Sequence, residues 1–152
     1  MHENPILILT QDHEILKEMF RRFEESEPFE SKTEIFRQIA HRLKIHQLLE
    51  EEIFYPAVSS ALEDEELLDE SLQEHHVIDV LVEELEDMNP VDESGQKEFA
   101  AKFKVLTENV EHHFEEEELR MFPEALDANV HDDTRLCREM MRRREELEGA
   151  IR

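Results

Sequence analysis

Two segments of this chain repeat one pattern of histidine, glutamate and proline. The first copy runs from His46 through Glu50 to Pro56, and the second begins at His113. In both copies the glutamate follows the histidine by four residues and the proline follows the glutamate by six. The second copy therefore contains Glu117 and Pro123. On an α-helix a step of four residues brings two side chains within about 40° of each other. Each copy therefore directs an imidazole and a carboxylate toward one point, and these donors suit iron, manganese or zinc.

The composition favours an all-α protein. Only 2 glycines and 5 prolines occur in 152 residues, while 38% of the residues are charged and strong helix formers dominate. Short polar linkers between helices favour antiparallel neighbours, so we predict an up-down-up-down four-helix bundle over residues 1–127. An additional C-terminal helix within 128–152 packs on this bundle, and the whole chain forms one domain. The predicted helices cover about residues 5–25, 32–55, 64–88, 95–122 and 131–148, with Pro56 and Pro123 ending the second and fourth.

Each of the first four helices carries an apolar stripe centred on one histidine. The second and fourth stripes superpose when His46 is aligned with His113, and the first and third when His13 is aligned with His75, which indicates a duplicated helix pair. At about 1.5 Å per residue, the four histidines lie at matching depth in such a bundle. The stripes are Ile6, Leu9, His13, Leu16, Phe20 and Phe23; Phe36, Ile39, Leu43, His46, Glu50 and Ile53; Leu68, Leu72, His75, Ile78, Val82 and Leu85; and Phe103, Leu106, Val110, His113 and Glu117.

The stripe-centred histidines together predict a metal site. One histidine on an apolar stripe is most often a hydrogen-bonded core residue, but four at one level, two of them with a carboxylate at the same step, indicate a shared role. Two buried carboxylates without compensation would be costly. A dinuclear metal centre compensates them and leaves each glutamate free to bridge. The predicted ligands are His13, His46, Glu50, His75, His113 and Glu117.

Four other residues near the predicted site have open roles. His76 and His112 each lie about 100° from a stripe histidine and are expected at the edge of the core. Asp79 follows His75 by one turn and is expected to be a solvated carboxylate. Tyr55 lies near the end of its helix and is expected to pack there; the alternatives are a ligand or electron-donor role. The following glutamates are expected on a solvated face, with one of them orienting a ligand histidine: Glu51, Glu52, Glu115, Glu116 and Glu118.

The charge of the chain narrows its partners and its compartment. The net charge is 17 − 41 = −24, which disfavours nucleic acid and anionic membrane surfaces. Cys137 is the single cysteine, so no internal disulfide is expected and a reducing compartment is favoured. No apolar run approaches about 18 residues and no signal pattern is apparent, so we predict a cytoplasmic protein. On the last helix, capped by Asn129 or Asp132, we expect Cys137 and the arginines to pack on the acidic bundle and form salt bridges with it.

The chain resembles the hemerythrin-like, or HHE cation-binding, family over nearly its whole length. The matching stretches are Asp12-His13-Glu14, His46 through Pro56, Glu74-His75-His76-Val77, and His112 through Pro123. This resemblance implies a four-helix bundle around a non-haem, oxo- or hydroxo-bridged centre of two iron ions. It also implies that one iron is bound by two of the histidines and the other iron by the remaining two, with both glutamates bridging. The implied pairs are His13 with His46, and His75 with His113; the implied bridges are Glu50 and Glu117.

Two positions depart from the oxygen-carrying hemerythrins. Those proteins have a further histidine four residues after the one that matches His75, where this chain has Asp79. In those proteins the second bridging carboxylate is an aspartate that follows its histidine by five residues (His-x4-Asp). In this chain Glu117 follows His113 by only four residues. These departures disfavour reversible oxygen carriage. A ferritin-like site is disfavoured further, because it needs Glu-x-x-His on two helices and none of the nine histidines has that spacing.

The expected function follows from the number of ligands. Six protein ligands shared by two irons leave about one open position on each metal, which suits a diatomic or peroxide ligand and redox turnover. We expect binding or reduction of O₂, peroxide or nitric oxide, in oxidative or nitrosative stress defence or sensing. A peroxidase, catalase-like or nitric-oxide oxidoreductase activity stays open, as do a sensor or store without turnover, reversible O₂ binding, and a protein electron donor or signalling partner. Zinc or manganese could occupy the same donors.

Overall fold

Helices dominate the chain. The computed structural model describes residues 4–130 and 133–150, so His2, His131 and the predicted cap Asp132 lie outside the described residues. The α-helices are α1 Pro5–Glu25, α2 Phe29–Leu49, α3 Tyr55–Val58, α4 Glu66–Asp87, α5 Glu93–Glu116, α6 Phe122–Asp127 and α7 Thr134–Ala150. A 3₁₀ turn, Ser59–Ala61, follows α3, and the described residues contain no strand.

The predicted four-helix bundle with an additional C-terminal helix is confirmed. Helices α1, α2, α4 and α5 form the bundle, in which α1 packs mainly on α2 and α4 mainly on α5. The connections within these pairs are short, which keeps sequential helices adjacent. Helix α7 lies outside this core and packs against α1 and α2. Among the described residues, no helix is sufficiently long and apolar to cross a membrane.

The two motif prolines do not end their helices, so this prediction is wrong. A π-helical segment, Glu50–Phe54, continues α2 directly into α3, and a second one, Glu117–Met121, continues α5 into α6. In a π turn the backbone N–H bonds to the carbonyl five residues back instead of four. The wider turn keeps the ring of Pro56 or Pro123 away from the carbonyl with which it would clash in a regular α-helix. Each helix therefore passes its proline with one bulge.

Two apolar clusters lie on either side of the predicted metal level. On α1, Leu16 belongs to one cluster and Leu9 to the other, and His13 lies between them. Along α5 and the π segment that follows it, Phe114 belongs to the first cluster and Met121 to the second. The first cluster, which contains Leu16, fills one half of the bundle. It is rich in aromatic rings, namely Phe20, Phe23, Phe36, Phe99 and Phe103. Polar groups at the metal level are thus enclosed by apolar side chains above and below.

The first two turns of α4 differ from the predicted stripe. Leu72 is 41% exposed and Leu68 is only half-buried, whereas Leu67 and Ser71 are 2% and 1% exposed. The buried face therefore runs through a serine, which an apolar pattern cannot reveal. Ser71 interacts with the hydroxyl of Tyr55, and this interaction lowers the pKa of Tyr55, in opposition to burial.

Helix α7 is held to the bundle by apolar contacts and by arginine. Leu147 packs with Ile45 and Leu49 of α2. Arg143 Nε lies 2.7 Å from Glu52 Oε1, and Arg144 pairs with a buried carboxylate of α1, which agrees with the predicted salt bridges. The helix is capped by Asp133, whose carboxylate accepts a hydrogen bond from the backbone N–H of Leu136 at 2.9 Å. The predicted caps are therefore replaced by a neighbouring residue.

Truncation of the aromatic cluster tests this packing. Phe103 is 2% exposed and its ring stacks on Phe23 with the centroids 3.7 Å apart. We expect Phe103→Ala to lower the free energy of unfolding of the metal-free protein by about 3–5 kcal/mol, because it leaves a cavity. Urea denaturation measures the change. Val105→Ala on the same helix, at a position that is 47% exposed, should change it by less than about 0.5 kcal/mol. Equal effects of the two substitutions would contradict the assigned core.

Candidate metal centre

The four stripe histidines meet at one level, each from a different helix of the bundle. All are buried, with exposures of 0% to 2%, and their Nε2 atoms face inward. His75 Nε2 and His113 Nε2 are 3.0 Å apart. On the other side, the ring centroids of His13 and His46 are 5.0 Å apart. The histidines therefore form two pairs, which have the composition implied by the family resemblance.

The two motif glutamates each span both pairs. Glu50 is fully buried, with Oε1 3.0 Å from His75 Nε2 and Oε2 3.5 Å from His46 Nε2. Glu117 is 1% exposed, with Oε1 3.1 Å from His13 Nε2 and Oε2 3.5 Å from His113 Nε2. Each carboxylate thus points one oxygen to each histidine pair. This is the arrangement that two bridging carboxylates of a dinuclear centre require.

The π turns aim the residues that follow the glutamates. Glu50 and Glu117 are the first residues of the two π segments. Tyr55 follows Glu50 by five residues, which would turn it well away from the site on a regular helix. A π turn brings residues five apart to the same face, and the Tyr55 hydroxyl consequently points into the site. Phe122 follows Glu117 by the same step and occupies the equivalent position in the second arm without a hydroxyl.

Tyr55 therefore lies in the site, whereas the sequence analysis expected it to pack at the end of its helix and kept a ligand or electron-donor role as the alternative. Its ring does belong to the second apolar cluster, and its side chain is 3% exposed. Its hydroxyl donates to Glu117 Oε2 at 2.7 Å and lies 3.3 Å from the Nε2 atoms of both His75 and His113. The proline directly after Tyr55 marks a place where a helix departs from regular geometry, but the local sequence does not specify a π turn.

A carboxylate orients every one of the four imidazoles. Each Nδ1 atom lies within hydrogen-bond distance of one acidic side chain, which fixes the ring and directs Nε2 inward. The Nδ1–carboxylate pairs are His13 with Glu118 at 3.0 Å, His46 with Asp12 at 2.9 Å, His75 with Glu51 at 2.8 Å and His113 with Glu74 at 2.7 Å. One such carboxylate was expected, and four are present. They follow the duplication, since Asp12 and Glu74 each directly precede a stripe histidine and Glu51 and Glu118 each directly follow a motif glutamate.

The inner polar atoms fit a bound cation. Among the described residues, the inner atoms without a hydrogen-bond partner are His13 Nε2, His46 Nε2, Glu50 Oε2 and Glu117 Oε1. Buried polar atoms without partners are costly, and these four belong to one group of nitrogen and oxygen donors. A second donor group joins Glu50 to the other histidine pair, so Glu50 is common to both. Imidazole and carboxylate donors together suit iron, manganese or zinc.

Without metal, protons must supply the positive charge of this site. Burial lowers the pKa of His46, but the negative charges of Glu50 and Asp12 outweigh burial and raise that pKa to about 10. Burial also opposes protonation of His113, and the charge of Glu117 outweighs it, so its pKa lies well above the ordinary value. Burial and the charge of Glu50 raise the pKa of Glu117. Metal ions entering the site therefore replace protons.

The other residues with open roles lie outside the centre. Asp79 is partly exposed, and its carboxylate is 3.6 Å from Lys44 Nζ, as expected for a solvated carboxylate. His76 is exposed. His112 is also exposed, and its Nε2 atom lies 3.3 Å from Glu116 Oε1 on the same helix. Of the glutamates expected on the surface, Glu52 pairs with the C-terminal helix.

The comparisons with known proteins agree with this geometry. The family model described as the hemerythrin HHE cation-binding domain matches residues 4–125. The chain belongs to the hemerythrin HHE cation-binding family. Its members are defined by cation binding, so this chain is a metal-binding helical module, and the predicted family is confirmed. The comparison with curated proteins found no match.

A solved structure supports the fold independently. The chain is similar to a hemerythrin HHE cation-binding domain-containing protein from Mycobacterium kansasii, with a TM-score of 0.78 and 24% sequence identity. The similarity covers 97% of this chain and 88% of that chain. At this identity the likeness establishes the shared bundle, including the region of the C-terminal helix.

The raised histidine pKa values predict how the metal-free protein responds to pH. Below about pH 6.5 His46 is protonated in both the folded and the unfolded chain, so the stabilisation from its buried charge is fully present. Between about pH 6.5 and the folded pKa of about 10, this stabilisation is progressively lost. We expect the free energy of unfolding, measured with urea, to fall across this range. His46→Gln should show a smaller fall, and an identical fall in both proteins would contradict the assigned pKa.

Proposed function

We propose that this chain binds two iron ions in the buried centre and there binds or reduces O₂, peroxide or nitric oxide, in oxidative or nitrosative stress defence or sensing. The observation that carries the proposal is the placement of Glu50 and Glu117, each with one oxygen toward each histidine pair. In this proposal His13 and His46 hold one iron, His75 and His113 hold the other, and both glutamates bridge. Two irons supply reversible one-electron chemistry and positions for a small ligand.

Tyr55 has a separate role in this proposal. Burial, together with the charges of Glu117 and Glu50, raises the pKa of Tyr55 well above its ordinary value, so its hydroxyl keeps its proton in the metal-free site. This hydroxyl reaches both the second histidine pair and Glu117. It is therefore positioned to donate a hydrogen bond to a ligand bound between the pairs. Phe122 offers no such group in the other arm, so the two halves of the centre are chemically different.

A sensor without turnover is the second candidate, and one contact favours it. Arg144 of α7 donates to Asp12 Oδ2 at 2.6 Å, and the same oxygen lies 2.9 Å from His46 Nδ1. Metal binding replaces the proton of His46 and changes the charge beside Asp12. The docking of α7 is therefore linked to occupancy of the centre, and a signalling partner could recognise the change. In the enzyme candidate the corresponding partner is a protein electron donor.

Iron content tests the ligands. We expect two irons per chain after anaerobic reconstitution, and we expect the double variant Glu50→Ala/Glu117→Ala to lose them, because it removes both bridges. Elemental analysis gives the iron stoichiometry. The same analysis after reconstitution with zinc or manganese, in the absence of iron, gives the stoichiometry of those metals. The double variant Glu108→Ala/Glu115→Ala removes the same charge from exposed positions of α5 and should keep both irons. Fewer than one iron per chain, or binding that survives loss of both bridges, would refute the assigned centre.

Reactivity tests the function. O₂, hydrogen peroxide and nitric oxide are added separately to the reduced di-iron protein while the near-ultraviolet and visible absorption is recorded. Multiple turnovers with peroxide or nitric oxide would establish an enzyme, and we expect Tyr55→Phe to slow them at unchanged iron content. A spectrum that appears with O₂ and is lost under vacuum would establish reversible binding instead. No response to any ligand, together with iron-dependent resistance of α7 to protease, would establish the sensor.

A further inference from the structure

A second group of metal donors lies outside the buried centre, on the surface formed by α4 and α5. It consists of Glu74, His112 and Glu116, whose donor atoms lie within 4.8 Å of one another. His112 Nε2 is 3.3 Å from Glu116 Oε1 and 3.8 Å from Glu74 Oε2. The His112 side chain is 66% exposed and the two glutamate side chains are 25% and 21% exposed, so the group is open to solvent.

The two carboxylates of this group are incompletely paired. Glu116 Oε2 is buried and has no hydrogen-bond partner among the described residues. The guanidinium of Arg120 lies 3.1 Å from Asp64 and 4.0 Å from Glu70. Burial and the neighbouring Glu74 raise the pKa of Glu116 and outweigh the charges of His112 and Arg120. A buried carboxylate oxygen beside a second carboxylate lacks the donor that such atoms normally have. A cation between them would satisfy both.

The duplication provides an internal comparison for this group. When His13 is aligned with His75, the position equivalent to Glu74 in the first half of the chain is Asp12, and Arg144 of α7 donates to it at 2.6 Å. When His46 is aligned with His113, the equivalents of His112 and Glu116 are Ile45 and Leu49.

Those two apolar residues are covered by α7, which packs Leu147 against both of them. In the first half, the guanidinium of Arg144 therefore lies beside the outer carboxylate of Asp12. The apolar residues Ile45 and Leu49 pack against α7, the helix that contains Arg144. Within the part of the chain that the structure describes, the second half has neither feature and instead has an imidazole and a further carboxylate at the same positions. The halves therefore differ in what lies beside the outer carboxylate: a guanidinium beside Asp12, and an imidazole with a further carboxylate beside Glu74.

We propose that Glu74, His112 and Glu116 bind one divalent cation, such as zinc or ferrous iron, in the place that Arg144 occupies beside Asp12. One imidazole and two carboxylates are suitable donors for either metal, and water completes the coordination. Glu74 connects this outer cation to the buried centre, because its Oε1 accepts from His113 Nδ1 at 2.7 Å while its Oε2 faces His112. The outer site does not depend on which metal fills the buried centre.

Zinc binding to the metal-loaded protein tests the proposal. Titration is followed by calorimetry and equilibrium dialysis in about 0.15 M salt, where the Debye length of about 8 Å screens diffuse attraction to the acidic surface. We expect one zinc per chain in addition to the metal of the buried centre. His112→Ala should weaken this zinc binding by about tenfold or more, since loss of even an outer partner of a metal site costs that much.

Matched variants keep the result interpretable. His76→Ala removes another exposed histidine, from α4, and should leave zinc binding unchanged. Glu116→Gln keeps the shape of the side chain, removes the charge and should weaken binding as His112→Ala does. The metal content and absorption of the buried centre report whether each variant is folded. Equal zinc affinity in the unchanged protein and in both His112→Ala and Glu116→Gln would overturn the proposal, as would the absence of the additional zinc.

Discussion

The structure depends on two carboxylates that lie between four imidazoles in the middle of an apolar bundle. Glu50 and Glu117 are at most 1% exposed, and apolar clusters enclose their level on both sides. Burial of two negative charges is costly unless positive charge balances them. The imidazole nitrogens of His13 and His46 lie 3.1 Å and 3.5 Å from the two carboxylates. In the metal-free chain this charge comes from protons on His46, His75 and His113, whose pKa values are raised. In the metal-bound chain cations provide it. The same residues thus couple folding, protonation and metal binding.

The duplication extends beyond the ligands to the groups that orient them. Each of the four stripe imidazoles is held by a carboxylate, and the four carboxylates follow the same two alignments as the stripes. The halves differ at positions that carry chemistry. Tyr55 corresponds to Phe122 in the second π segment. Arg144 lies beside Asp12, whereas His112 and Glu116 lie beside Glu74, the equivalent of Asp12. A nearly symmetric frame therefore carries an asymmetric site.

The π turns explain how a regular pattern gives this asymmetry. Both copies of the motif contain a proline six residues after the glutamate, and in both a π bulge precedes the proline. The bulge turns the residue before the proline toward the centre. In one arm this residue is Tyr55, whose hydroxyl enters the site, and in the other it is a phenylalanine that completes the apolar wall. The same π bulge occurs in both copies of the motif, but it places a hydroxyl, that of Tyr55, on only one side of the centre.

The sequence by itself determined the bundle, the family and the meeting of six candidate ligands, because helical periodicity fixes which side chains share a face and motif spacing fixes their depth. It did not determine the course of the chain past Pro56 and Pro123, since local preference favours a helix end there and only packing of the following turn on the core rewards a bulge. It also did not show the burial of Ser71, left the role of Tyr55 open and did not identify which carboxylates orient the imidazoles. Those assignments join residues far apart in the chain, such as His13 and Glu118. Only the tertiary structure decides them, because whether an acidic side chain is solvated or orients a ligand depends on which helix lies opposite.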